Sequence, residues 1–261
     1  MISASSHVSQ NPSVKLRTIG VADLHWALRE GWRDFLDLRG DIIFAGILYP
    51  VVALVAAYYA LHQDLVPLVF PLAAGFSLMG PLFAIGFYEL ARRREKGLDV
   101  GWSHFLDPLR GSSRWQILGL AAGVTLLAVG WMAVAGAIYD QTLGLLRPVG
   151  TAEFVTQMFT TSEGWRMIIF GNLAGLGFAI VTLMVAVVSF PMLVDRQVHA
   201  SDAVETSLRA TLKNPLVIAR WGVYVAVILA IACIPAFLGL AIALPVLGYA
   251  SWHLYTRIVE R

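Results

Sequence analysis

Long apolar blocks, separated by short segments dense in arginine, constrain this chain more than any other feature. Six blocks can be drawn: Ile42–Leu61, Val66–Leu90, Ile117–Tyr139, Met167–Val194, Leu216–Cys233 and Ala236–Tyr255. Most reach about 20 residues, which at about 1.5 Å per helical residue crosses a hydrocarbon core about 30 Å thick. Inside that core every backbone N–H and C=O needs a partner within the chain, so the blocks are expected to be helices. Composition agrees. Hydrophobic residues make up 58% of the 261 and charged residues 14%, with a mean hydropathy of +0.71; a soluble domain carries about 25% charged residues. The expected fold is all-α, a polytopic membrane protein of six transmembrane helices arranged as three helical hairpins. Ile234-Pro235 alone separates the last two spans, which suits a tight hairpin; the rival reading gives Leu216–Tyr255 less than two complete spans.

Orientation follows from lysine and arginine. Lys15, Arg17, Arg29, Arg33 and Arg39 precede the first span, and Arg92, Arg93, Arg94, Lys96, Arg110 and Arg114 follow the second. Arg196, Arg209, Lys213 and Arg220 follow the fourth, and Arg257 and Arg261 close the chain. Of the 19 basic residues, only Arg147 and Arg166 fall on the other side. Six spans with both termini in the cytoplasm explain this asymmetry. The first 40 residues hold no short apolar run with a small-residue cleavage site, so a cleaved signal peptide is not expected.

Each basic segment also carries an amphipathic stretch, a weak internal repeat. In the first, Leu24, Leu28, Trp32, Phe35 and Leu36 fall at helical spacing. The second, Leu98–Leu109, places Trp102, Phe105, Leu106 and Leu109 on one side, and the third, from Ser201, aligns Val204, Leu208 and Leu212 before an Asn214-Pro215 stop. Each hairpin is thus expected to follow a short amphipathic cytoplasmic helix. Residues 1–16 read as a flexible cytoplasmic N-terminus and 17–261 as one membrane domain.

Individual residues suggest sites, each with a plainer structural explanation. Gly80-Pro81 and Pro191 interrupt two spans; proline removes a helical hydrogen bond, and paired interruptions in transporters mark binding sites. Asn172 is the strongly polar side chain well inside a span, expected to bond across helices. Arg92, Arg93, Arg94 and Lys96 form a cluster suited to anionic lipid head groups, which orientation explains equally well. Glu89 can pair with Arg92 or Arg93 at helical spacing. Gly119 with Gly123, and Gly171 with Gly175, allow close helix approach, within the chain or between subunits.

Other chemistry lacks its residues. His7, His25, His62, His104, His199 and His253 lie outside spans or at span ends and form no i, i+3 or i, i+4 pair, so no haem or copper ligand set is expected. His253 reads as an interfacial side chain. The lone Cys233 excludes an intramolecular disulfide. No phosphate loop, zinc pattern or placed nucleophile is visible, and a net charge of +2 gives nucleic-acid binding no support. No catalytic, cofactor or metal residue is assigned.

Four segments carry a family resemblance: Ile19 to Phe35, Gly80 to Arg93, Phe190-Pro191-Met192-Leu193-Val194-Asp195-Arg196, and Ala250 to Arg257 around His253. Together they resemble the bacterial predicted integral membrane proteins called domain of unknown function 2189. The resemblance implies a proteobacterial inner membrane, and some members carry a label as cytochrome c oxidase subunits. The expected role is non-enzymatic: an accessory, assembly or scaffold component of a membrane complex, with membrane lipids and another inner-membrane protein as partners. The alternatives are a small-solute transporter or channel, and a lipid or envelope sensor.

Overall fold

The apolar blocks fold into long helices, because chain segments without polar side chains can satisfy their backbone groups only internally. In a computed structural model, residues 14–38, 58, 66–235 and 237–260 are described. The first expected span, Ile42–Leu61, lies outside them apart from Tyr58, as does most of segment 1–16. Among the described residues the helices are α1 (21–38), α2 (Val66–Leu78), α3 (Gly80–Phe83), α4 (Ile85–Glu95), α5 (Arg114–Asp140), α6 (Gly150–Thr160), α7 (Ser162–Asp195), α8 (Ala200–Lys213), α9 (Pro215–Cys233) and α10 (Leu240–Ile258), with no strand.

Three of these, α5, α7 and α9, are long and apolar enough to cross a membrane. Within their most apolar windows only 33%, 33% and 17% of residues are buried, so most of their hydrocarbon surface faces outward. At 34 residues α7 runs roughly 50 Å, well beyond the hydrocarbon thickness. The expected continuous span Val66–Leu90 is instead three helical pieces. Pro81 has no N–H for the ladder, and the breaks fall at Met79 and Ala84, both still right-handed. The expected last span begins later than drawn, at Leu240, after a turn in which Phe237 takes a positive φ of 64°.

The buried core sits at one end of the bundle, and α10 is its axis. Every residue from Pro245 to Ala250 is buried, as are Trp252, Leu254, Tyr255 and Ile258; a helix apolar all round belongs inside. Around it pack α4, α7 and α9, and α1. A Cβ on Gly31 would stand 2.6 Å from Ala250 N and 2.7 Å from Val246 O, so α1 and α10 approach backbone to backbone. Trp26 meets the His253 ring edge-on at 5.5 Å, and the Arg257 guanidinium covers Trp26 at 3.9 Å.

The amphipathic stretches fold in two cases of three, and each helix is turned from its expected face. On α1 the buried residues are Leu24, Ala27, Gly31, Asp34 and Phe35, while Trp32 and Leu36 are exposed. On α8 they are Ala203, Thr206, Ser207, Ala210 and Thr211, and Leu212 is 71% exposed. Small residues face inward because the helices pack closely. The middle stretch is not a helix: it forms two 3-10 turns, Trp102–His104 and Asp107–Leu109, the second with Pro108 in its first turn. Phe105 from this segment packs edge-on against Phe87, ring centres 5.0 Å apart.

The chain's ends are tied together. Leu16 and Val259 form an antiparallel bridge, Arg17 N donates to Ile258 O at 2.7 Å, and Glu260 N donates to Lys15 O at 3.0 Å. Asn214, between α8 and α9, accepts from Ile19 N at 2.9 Å and donates to Arg17 O at 3.2 Å. The described part of segment 1–16 is therefore anchored.

Candidate functional site

Helix α4 enters the core apolar and leaves it charged, and its last turn is where four elements converge. Glu89 lies within the buried run Ile85–Ala91 and is itself only 3% exposed. A buried carboxylate needs a cation and hydrogen bonds to offset lost hydration. Arg92, one turn on, supplies both: Nε donates to Oε2 at 2.8 Å and Nη2 to Oε1 at 2.7 Å. These bonds outweigh partial burial and raise the Arg92 guanidinium above its ordinary value. Helical spacing made this pair foreseeable.

The other cations of the cluster reach outside α4. Arg93 lies 3.6 Å from Glu89 and 3.6 Å from Asp107, and its Nε donates to Asp99 O at 2.6 Å. Asp107 in turn sits 2.7 Å from His104 Nδ1. Arg94 pairs with Asp34 at 3.2 Å and with Asp37, both on α1. Lys96 lies 3.5 Å from Asp195 at the end of α7, and Tyr255 donates to the second oxygen of that carboxylate at 3.0 Å. Trp252 Nε1 donates to Glu95 at 3.1 Å.

His253 is the residue whose role the sequence concealed. Its Nε2 lies 2.8 Å from Asp34 Oδ2, and Asp34 is 4% exposed. The histidine expected at the interface is thus a half-buried partner of α1. Asp34 falls on the Leu24, Ala27, Gly31 line, so its burial was readable only to an eye that counted small residues as apolar. The result is one ionic layer joining α1, α4, the 99–107 loop, α7 and α10.

The remaining expected residues do not join it. Asn172 is exposed and its Nδ2 donates to Ile168 O of its own helix at 2.7 Å, with no cross-helix bond to it among the described residues. Around Gly80, Gly119, Gly123 and Gly171 a Cβ would meet nothing within 4 Å, whereas at Gly175 it would stand 3.2 Å from Trp131. Pro191 is buried where α7 packs on α8. There Ser207 Oγ accepts from Val188 N at 3.2 Å and donates to Met184 O at 2.7 Å, inserting into the α7 ladder. Ser189 Oγ returns the contact to Ala203 O at 3.1 Å.

Chemically, this layer is a junction. Its acids and bases are taken up by one another. Among the described residues no group of three or more histidine, cysteine or acidic side chains is placed to hold a metal ion. No curated protein and no solved structure matches the chain. The stretch from α2 to the end of α7, which carries α4 and its charged last turn, does have a match: residues 69–195 fit the model of the family described as predicted integral membrane protein (DUF2189).

Proposed function

We propose that the protein is a non-enzymatic scaffold of the bacterial inner membrane: six spans, both termini cytoplasmic, acting as an accessory or assembly component of a membrane complex. The ionic layer carries this reading. It fixes the ends of α1, α4, α7 and α10 against one another, which a platform for other proteins requires and a moving machine does not. The outward apolar faces of α5, α7 and α9 offer the surface on which lipid or a partner helix packs.

The span count has its own support. Residues 34, 94, 96, 195, 253 and 257–260 share this layer or the termini beside it, which supports an even number of crossings between successive points. Two crossings in each of three intervals give six, with α2–α4 and α10 as spans that the protein itself partly encloses. The basic residues gathered at this end support a cytoplasmic orientation for it.

The test is a mild-detergent pull-down of the tagged protein at native expression, read by mass spectrometry. Stoichiometric recovery of a membrane complex is the expected result. Recovery of the protein alone overturns the scaffold reading and favours a small-solute transporter or channel.

A further inference from the structure

Helix α8 and the terminal bridge enclose a feature that the ionic layer does not use. An open groove of about 550 Å³ is lined by Val14, Lys15, Leu16, Arg209, Leu212, Lys213 and Glu260. Three cations face one carboxylate, and that carboxylate also stands 3.6 Å from Arg17. Lys15 is exposed and forms no ion pair among the described residues. The Arg209 contact to Glu205 is long, at 3.8 Å, and Glu205 is 71% exposed, so it holds little of the guanidinium's charge. Lys213 Nζ donates to Leu16 O at 2.6 Å, leaving two of its three N–H groups for another acceptor.

Depth and surroundings narrow the occupant. Leu212, in the groove wall, is 71% exposed, and Leu216, in the first turn of α9, is 83% exposed. From Leu216 onward α9 is a membrane-span candidate. Lys213 therefore stands about one helical turn before the apolar start of α9 and Arg209 about two, at headgroup level, beside exposed leucines. The geometry points to a binding site for an anionic phospholipid: its phosphate between Lys15, Arg209 and Lys213, its acyl chains along Leu212 and Leu216. The Arg92–Lys96 cluster, which has the stronger basic signature in sequence, is spent on internal carboxylates. This inference needs only that α9 enters the bilayer at Leu216, and is independent of the scaffold reading.

The experiment is native mass spectrometry of the full chain released from nanodiscs holding equal phosphatidylglycerol and phosphatidylcholine of identical acyl chains. The wild type is expected to retain phosphatidylglycerol preferentially, by about fivefold for each contributing cation. The triple variant Lys15→Gln, Arg209→Gln, Lys213→Gln is expected to lose the preference, and the charge-matched control Arg29→Gln, Arg110→Gln, Arg114→Gln to keep it. No preference in the wild type, or an unchanged preference in the triple variant, overturns the assignment. So does displacement of phosphatidylglycerol by inorganic phosphate at equal concentration, which would make this a free-anion site. Should the triple variant unfold, Lys15→Gln alone, outside every helix, must lower the preference about fivefold or the assignment falls.

Discussion

His253 Nε2 lies 2.8 Å from Asp34 Oδ2, so the last helix is bonded to the first through two largely buried side chains. Asp34 also holds Arg94, which makes it the acid shared by α1, α4 and α10.

Replacing Asp34 by Ala is expected to destabilise the protein by about 1 to 3 kcal/mol, because it removes the hydrogen-bond partner of His253 Nε2 and one of the two carboxylates that hold Arg94. Thermal unfolding in detergent reads this directly. The double variant with His253→Ala should cost less than the two single losses summed, since their effects are coupled. Strict additivity would mean that the pair contributes nothing.

Gly31→Ala tests the backbone contact between α1 and α10. Its Cβ would meet the Ala250 and Val246 backbones well inside contact distance, and backbone cannot swing aside. Forced overpacking costs about 1 to 3 kcal/mol. Gly119→Ala, with open space around it, should be neutral or gain about 0.5 to 1 kcal/mol as an exposed helical glycine. Equal responses from the two would show that α1 does not dock as described.

Ser207→Val, matched in size by Ser207→Thr, removes the hydroxyl that bridges Val188 N and Met184 O. A loss of about 1 to 3 kcal/mol is expected from the backbone N–H deprived of its partner. Ser207→Thr, which keeps the hydroxyl, should recover part of it. Hydrogen exchange at Val188 is the matching local measurement: it should accelerate in the valine variant and stay slow in the threonine one.

The orientation is checked by labelling in a Cys233→Ser background. In spheroplasts a membrane-impermeant maleimide should modify Ser162→Cys and spare Ser201→Cys until the membrane is opened. The opposite pattern reverses the protein in the bilayer. Labelling of both before lysis means that α7 does not cross.

Periodicity and block length were enough to foresee the helices over 114–140, 162–195 and 215–233, since only those signals depend on neighbours in sequence. What escaped was which way each amphipathic helix faces. Large apolar side chains mark a core in water, but Trp32, Leu36 and Leu212 turn outward here, and Ala27, Gly31, Ala203 and Ser207 turn in. Close helix packing selects small residues, and an apolar solvent removes the penalty on large ones outside. The rest of the charged cluster escaped for a related reason: Asp34, Asp107 and Asp195 lie outside the helical reach of Arg92–Lys96, so local reading found only Glu89 as a partner. Glu89 with Arg92 was legible because one helical turn separates them.

The docking of α1 on α10 also sets an order of events during synthesis. Asp34 and His253 lie 219 positions apart, so at about 5 to 20 residues per second the first helix waits roughly ten to forty seconds for its partner to leave the ribosome. Through that interval Trp26 and Gly31 lack their α10 neighbours, and Asp34 has Arg94 but not His253 as a partner. A chain cut short before α10 leaves that face of α1 uncovered.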